Sequence, residues 1–205
     1  MNAFEKLTKI FEDFPGIGPR QARRFAYFLL GRDDMYLAEL SSAVKELKKE
    51  VTRCKDCLRY FAKQGGTLEK CSICENTERD SSILMIVAKD TDLLTVERAG
   101  FFGGYYFVIG GLIPILEKNP ERRIRVEDLK KIVGKRANDG LKEIIIALNA
   151  TNEGENTSMF LSKFLEEDIK KYNLKVTHLG RGLSTGAELE YADKETIKAA
   201  LENKK

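Results

Sequence analysis

The sequence is poor in several residue types, and each shortage excludes a class of protein. No run approaches the roughly eighteen consecutive apolar residues of a membrane-spanning helix. The first residues, MNAFEKLTKIFEDF, carry acidic side chains that secretory signal peptides lack. The one histidine, His178, has no serine or cysteine nucleophile motif to accompany it, so we expect a structural role for it. We therefore expect a cytoplasmic protein that does not associate with membranes.

Cysteine is also scarce, and all four residues lie between positions 54 and 74 in the pattern C-x2-C-x13-C-x2-C. Each C-x-x-C turn presents two thiolates to one ion, and two turns complete the closed tetrahedral shell of structural Zn²⁺. An iron–sulfur cluster and a redox dithiol are the less favoured alternatives. A catalytic zinc is excluded because no coordination position stays open. We therefore predict one structural zinc ion per chain, with Gly65-Gly66 forming a turn between the two pairs of ligands: Cys54, Cys57, Cys71 and Cys74.

Acidic residues are absent from positions 14 to 31, where three arginines occur: Arg20, Arg23 and Arg24. The segment FPGIGPRQARRFAYFLL places two prolines and two glycines between two stretches of helical periodicity. Gly16 and Gly18 allow backbone conformations in which successive N–H groups point outward at a helix N-terminus. Such an arrangement binds phosphate without reading base sequence. We therefore predict a DNA-binding hairpin; the alternative is an ordinary helical hairpin with a glycine turn.

A second basic stretch, RRIRVEDLKKIVGKR at positions 122–136, holds seven basic residues against two acidic ones. On a chain whose net charge is only +3, two local basic surfaces indicate localised contact with a polyanion. For this second stretch, however, the favoured interpretation is a solvated helix face.

The character of the sequence changes at Ser82, where short apolar runs begin. The runs SILMIVA, YYFVIGG, EIIIALN and LKVTHLG alternate with stretches of helical periodicity near 91–99, 125–137 and 155–172. Continuous apolar strands separated by helices predict a parallel sheet that is covered on both faces. The aromatic residues of FFGGYYFVIGG could stack on DNA bases, but their strand spacing favours a core position, with Gly103-Gly104 forming a turn.

Helices are also predicted on either side of this α/β part. Apolar residues recur at helical spacing over 2–13, up to Gly31, and over 35–52. A final helix is expected to begin after Asp193, a good N-cap residue. The chain is thus predicted to run from a helical head through a metal module into an α/β body.

Taken in order, these segments resemble one family along essentially the whole chain, the bacterial recombination mediator family RecR. The resemblance is carried by the hairpin FPGIGPRQARRFAYFLL, the four cysteines, the strand pair around GFFGGYYFVIGGLIP, and the segments IIIALNATNEGENTSMFL and GRGLSTGAELEYADKETIKAAL. It implies an α/β multi-module fold with a helix-hairpin-helix head (1–53) and a four-cysteine zinc module (54–80). These are followed by a Toprim-like α/β domain with a mainly parallel sheet (81–178) and a C-terminal Walker-B-like segment and helix (179–205).

The resemblance also implies a function. RecR-like proteins are ring-shaped oligomers, typically tetramers, that bind DNA and act with RecO and RecF to load RecA on single-stranded gaps. Gly16, Gly18, Arg20 and Arg24 fall on the family's DNA-contact positions, whereas Arg23 is an additional basic residue that the family does not require. The implied protein is a non-enzymatic clamp associated with the nucleoid. The alternative is an adaptor that oligomerises through the hairpin and contacts DNA mainly through RecO.

The sequence departs from the pattern of catalytic Toprim domains. Those enzymes hold Mg²⁺ with a glutamate after the first strand and a D-x-D after a later one, but here Ala88 and Asn149 occupy the two leading positions. Losing the first carboxylate argues against the rival hypothesis of a Toprim nuclease, primase or topoisomerase fragment. Glu153 and Glu155 lie downstream of Asn149, and the resemblance implies that this acidic surface contacts RecO.

Overall fold

Helices make up the first part of the chain, and a parallel β-sheet with surrounding helices makes up most of the rest. The computed structural model describes residues 1–63, 69–180, 182–183, 186 and 188–202. It divides into two compact units, Met1–Thr52 and Arg53–Lys205. The finer module boundaries stay a prediction, and the turn predicted at Gly65-Gly66 lies outside the described residues.

The first unit consists of α1 (Ala3–Glu12), α2 (Pro19–Leu30) and α3 (Asp34–Glu50), close to the predicted bounds. α1 begins at a capping box in which the side chains of Asn2 and Glu5 each accept the other's backbone N–H. α3 ends slightly before the predicted position because Val51 is already the first residue of a strand.

The cysteine segment contains little regular structure. A two-stranded sheet joins β1 (Val51–Arg53) to β2 (Tyr60–Ala62), and one short helix follows, α4 (Ser72–Glu75). Short elements of this kind bury little apolar surface by themselves, so a bound metal would add to the packing against the sheet that holds them together.

A four-stranded sheet forms the centre of the second unit. Its strands are β3 (Asp80–Val87), β4 (Gly104–Val108), β5 (Glu143–Ala147) and β6 (Lys175–His178). They are parallel throughout and follow the order β4-β3-β5-β6, which confirms the predicted parallel sheet. The surrounding helices are α5 (Asp90–Ala99), α6 (Pro120–Arg123), α7 (Val126–Asn138), α8 (Asn152–Phe164) and α9 (Glu166–Tyr172). The chain then continues through a 3-10 helix (Leu189–Tyr191) to α10 (Lys194–Glu202), which Asp193 caps as predicted.

Side chains on β3 alternate between the two faces of the sheet, and both faces are covered. Leu84 and Ile86 belong to a core cluster with Leu129 of α7. Met85 and Val87 belong to a second cluster that includes buried cysteines of the metal module. Burial on both faces explains why the strands read as continuous apolar runs.

Three details of the predicted α/β part are wrong. Gly103-Gly104 does not form a turn, because Gly104 is the first residue of β4, where a Cβ would lie 2.7 Å from the Phe102 ring. The single helix expected over 155–172 is two helices, α8 and α9, that meet at Leu165. The aromatic residues Tyr106 and Phe107 are fully buried, as the core interpretation predicts, but Phe101 of the same run is 97% exposed, so the interpretation is wrong for that residue. Over the residues described, no helix is both long enough and apolar enough to cross a membrane.

Candidate nucleic-acid and metal-binding sites

The turn between α1 and α2 exposes the N-terminus of α2. Gly16 adopts a left-handed conformation with φ of +77°, and the Ile17 N–H donates to the Phe14 carbonyl at 3.0 Å, which closes the turn. Gly18 is the N-cap residue, but it brings no side chain, and Pro19 at the first helical position has no N–H. The next N–H groups of α2 therefore remain available to an external acceptor, together with the positive end of the helix dipole.

The hairpin arginines do not form one group. Arg20 and Arg24 are exposed and lie one helical turn apart, and the first turn of α2 contains no acidic residue. Arg23 instead lines a groove between α1 and α2, together with Glu5 and Glu12. The structure thus separates Arg23 from Arg20 and Arg24.

The four cysteines converge on one point. Their Sγ atoms all lie within 4.8 Å of one another, and those of Cys57 and Cys71 are 3.6 Å apart. Tetrahedral zinc with Zn–S bonds of about 2.3 Å requires sulfur atoms separated by about 3.8 Å. Cys54, Cys57 and Cys71 are buried and Cys74 is partly buried, so the thiolates are shielded from water. The donor set therefore fits a structural zinc ion, as the spacing predicted.

Interactions among the cysteines support this fit. The Cys71 N–H donates to the Cys54 Sγ at 3.4 Å, an arrangement that stabilises a thiolate. Without a metal ion the four thiols share charge unequally: hydrogen bonds with Cys57, and then with Cys71 and Cys74, lower the pKa of Cys54, whereas hydrogen bonds with Cys54 first raise the pKa of Cys57 and of Cys74. A bound zinc ion would require all four groups to be thiolates.

The metal module is attached to the sheet by contacts that sequence reasoning missed. The Val108 N–H donates to the Cys57 carbonyl at 2.9 Å, and the Arg125 guanidinium donates to the Leu58 and Val108 carbonyls at 3.0 Å each. Leu58 itself has a left-handed φ of 59°, which is unusual for a residue with a branched side chain. No local sequence pattern indicates these contacts, because they join residues far apart in the chain.

A second attachment runs through Asp56. Its carboxylate forms ion pairs with Lys70 at 3.0 Å and with Lys135 of α7 at 3.1 Å. Burial alone would raise the pKa of Asp56, but the hydrogen bonds from the two lysines outweigh burial and lower it. The metal module and α7 are therefore joined by a charged contact as well as by apolar packing.

Most basic residues of the 122–136 stretch have partners within the protein. Lys135 pairs with Asp56, Lys130 lies 3.8 Å from Asp168, and the Arg136 guanidinium lies 4.0 Å from the ring centroid of Tyr105. The stretch is also not one helix, since α6 ends before Ile124 and α7 begins at Val126. These residues stabilise the second unit, so the stretch is less a solvated face than the pattern indicated.

The carboxyl ends of β3 and β5 form the edge where catalytic Toprim domains hold Mg²⁺. Ala88 follows β3 and is buried, and Asn149 follows β5 and is exposed. Glu153 and Glu155 lie in the exposed first turn of α8, which Thr151 caps through the Gly154 N–H at 3.2 Å. Among the described residues, the cysteines are the one group of three or more possible ligands that converges on a point.

A cavity of about 150 Å³ lies beside this edge. It is lined by Asn149, Gly154, Ser158 and His178 among others. The His178 Nδ1 lies 3.2 Å from the Ser158 Oγ, which joins the end of β6 to α8. The structural role expected of His178 stays a prediction.

Comparison with known proteins agrees with the arrangement of these sites. The family described as "RecR, helix-hairpin-helix" matches residues 4–48, "Toprim domain" matches 82–180, and "RecR, C-terminal" matches 182–205. "Recombination protein RecR" of Prochlorococcus marinus (strain MIT 9312) is 39% identical over 200 residues, covering 97% of this chain and 94% of the relative. The protein of the same name from Dehalococcoides mccartyi is 36% identical over 203 residues, covering 98% and 93%.

Proposed function

The chain belongs to the RecR family of recombination proteins, and from that premise we propose that it is a DNA-binding clamp in recombinational repair. It would hold the DNA backbone and organise other proteins on it without acting as an enzyme. The observation that supports this most directly is the hairpin, where an uncapped, acid-free helix N-terminus carries Arg20 and Arg24 on its surface. Backbone N–H groups and guanidinium groups are the donors that hold phosphates without reading sequence.

We propose further that the chain assembles into a ring-shaped tetramer. α3 is 17 residues long and contains no buried residue, although Leu37, Leu40, Val44 and Leu47 form an apolar stripe on it. Val44 and Leu47 are 64% and 62% exposed. An unburied apolar stripe of this length favours self-association, because symmetric contact between copies would remove it from water.

Assembly would also strengthen DNA binding. Each hairpin offers only a few phosphate contacts, and several copies acting on one DNA molecule would add their contributions. The same stripe favours a second candidate, an adaptor that uses its helical head mainly for assembly and reaches DNA through RecO.

The proposed partners are RecO and RecF, with which the chain would load RecA on single-stranded gaps. Glu153 and Glu155 are the residues that we propose for RecO, because both are exposed on the first turn of α8. The protein would act on the DNA of the bacterial nucleoid. The absence of a carboxylate at Ala88 supports a role without Mg²⁺-dependent phosphoryl transfer.

The test is a salt titration of DNA binding by the Arg20→Gln, Arg24→Gln double variant. Each lost phosphate contact reduces the slope of log Kd against log salt by about 0.7 on single strands, so we expect a reduction of about 1.4. The matched control is Lys48→Gln, Lys49→Gln, which removes the same charge from the last turn of α3 in the same unit. The control should keep the wild-type slope.

Light scattering and zinc analysis on the same samples complete the experiment. A tetramer with about one zinc per chain and a hairpin-dependent salt slope would support the clamp. A folded tetramer whose slope does not change in the hairpin variant would favour the adaptor. Loss of the slope in the Lys48, Lys49 control as well would show a general charge effect and contradict a specific hairpin site.

A further inference from the structure

A second group of basic and aromatic side chains lies in the other unit, where the metal module meets the end of the sheet. It consists of Arg53, Tyr60 and Arg125, and none of the three belongs to the hairpin or to the cysteine ligands. Arg53 and Tyr60 are exposed, and Arg125 is half-buried.

Arg125 is held in place by the backbone. One nitrogen of its guanidinium donates to the Leu58 and Val108 carbonyls, and the flat side of the group lies against Gly110, where a Cβ would stand 3.1 Å from Nε. These contacts satisfy part of the guanidinium but supply no negative charge. A half-buried cation is thus fixed rigidly beneath the surface.

Arg53 and Tyr60 form the exposed part of the group. An Arg53 nitrogen donates to the Tyr60 hydroxyl at 3.1 Å, and the Arg53 guanidinium carbon lies 5.4 Å from the ring centroid of Tyr60. The Tyr60 backbone is held against the unit by its N–H, which donates to the Asp90 carboxylate at 2.7 Å. The residue is nevertheless 51% exposed, so its ring remains accessible.

The charges of Arg53 and Arg125 act on one another, and neither guanidinium group is paired directly with a carboxylate of the described residues. Within the described part of the chain, neither Arg53 nor Arg125 forms an ion pair with a carboxylate. Burial first, and then the charge of Arg53, lowers the pKa of Arg125. Asp90 and Asp128 act on Arg125 in the opposite direction, and Asp90 already accepts the Tyr60 N–H. Two like charges that no carboxylate pairs with directly are an arrangement that an additional anion would stabilise.

We propose that Arg53, Tyr60 and Arg125 form a second contact for single-stranded DNA, in addition to the hairpin. The two guanidinium groups bind a backbone phosphate, and the exposed ring of Tyr60 stacks on an adjacent base. This inference rests on the proposed DNA-binding function and adds a site in the second unit. Arginine is suited to phosphate because its planar group donates two parallel hydrogen bonds, and an accessible aromatic ring beside it favours a nucleic acid over an acidic peptide.

The first test compares two variants in binding of a fluorescein-labelled oligothymidylate across a salt series. Arg53→Gln should reduce the salt slope by about 0.7, and Tyr60→Leu should weaken binding about tenfold with little change in slope, because stacking involves no charge. Arg98→Gln is the matched control, since it removes one exposed arginine from the far end of α5. Arg125 is left unchanged because it also holds the Leu58 and Val108 carbonyls.

The second test uses the wild-type protein, so it does not depend on how the variants fold. An oligonucleotide containing 5-bromouracil is irradiated in the complex, and the cross-linked residue is identified by mass spectrometry. We expect a cross-link at Tyr60. Thermal unfolding and zinc content of each variant show whether a loss of binding reflects loss of structure.

The outcomes separate this inference from the proposed function. If Arg20→Gln, Arg24→Gln loses affinity while Arg53→Gln and Tyr60→Leu bind like wild type and Tyr60 is not cross-linked, the second contact is refuted and the clamp stands. If the Arg53 and Tyr60 variants alone lose affinity, the second contact stands and the hairpin does not bind DNA. A wild-type protein without affinity at low salt overturns both. Binding of labelled polyglutamate that depends on Arg53 and Tyr60, with DNA binding unchanged, would assign the group to an acidic peptide instead.

Discussion

Replacing Glu97 by glutamine should destabilise the second unit, because Glu97 connects α5 to two strands. Its carboxylate accepts hydrogen bonds from Arg79 at 2.6 and 3.0 Å and from the Tyr106 hydroxyl at 2.8 Å. The same guanidinium donates to the Phe102 and Gly104 carbonyls at the start of β4. Glu97→Gln would leave the Arg79 side chain, which is only 12% exposed, without its counter-charge.

The size of the effect follows from these contacts. A charge-assisted hydrogen bond is worth about 1.5–3 kcal/mol. The glutamine oxygen still accepts a hydrogen bond, and water screens the Glu97 side chain, which is 32% exposed, so we expect a net loss equivalent to one such bond, about 2 kcal/mol. For a chain of this length that loss lowers the Tm by about 4–8 °C. Glu166→Gln is the control, because its ion pair with Lys170 is exposed and should contribute nothing measurable.

The difference between wild type and Glu97→Gln should also depend on pH. Burial alone would raise the pKa of Glu97, but hydrogen bonds from Arg79 and Tyr106 outweigh burial and lower it. A carboxylate with a lowered folded pKa stabilises the fold above its unfolded pKa of about 4.3, and this contribution is lost as the pH falls through the folded value. The two proteins should therefore differ most near neutral pH and converge in acid.

Urea unfolding at several pH values measures both quantities. Equal stabilities for wild type and Glu97→Gln at neutral pH would refute the reasoning. So would a difference that stays constant down to acid pH, since the charge of Glu97 would then not be responsible.

Two further predictions concern the metal module and the edge of the sheet. Cys71→Ser should abolish zinc binding and remove a contribution on the order of 10 kcal/mol to folding. Zinc binding is measured with a colorimetric chelator, and the loss of stability is measured as loss of cooperative unfolding. Purified wild-type protein that contains iron and absorbs visible light would contradict the zinc assignment. Gly154→Ala should cost about 3 kcal/mol in urea unfolding, because the new methyl group would lie 1.9 Å from the Asn149 carbonyl oxygen. The control is Gly134→Ala in α7, where the new methyl group would meet only the Tyr172 hydroxyl at 3.8 Å. This change should stabilise the protein by about 0.5–1 kcal/mol. Equal effects of the two changes would contradict the close approach at Gly154.

Features that depend on local patterns could be predicted before the fold was known. Cys54, Cys57, Cys71 and Cys74 could be assigned to one metal site because a C-x-x-C turn brings its two thiols together whatever the rest of the chain does. The parallel sheet followed from continuous apolar runs between helices, and the hairpin from prolines and glycines placed between two helical stretches. The family could be identified because these patterns occur in one order along the whole chain.

The tertiary structure alone decided which charged residues hold the protein together and which remain available. The sequence pattern placed Arg125 and Lys135 on a solvated basic face. In the structure Arg125 instead binds the Leu58 and Val108 carbonyls, and Lys135 binds Asp56. The relation of Arg53 and Tyr60 to Arg125 was not visible in the sequence, because it joins positions more than sixty residues apart. Such contacts are set by how the metal module packs on the sheet, and charge patterns along the chain do not encode that packing. The same reason explains Gly104, whose local context indicates a turn while close packing against Phe102 and β3 makes it the start of a strand.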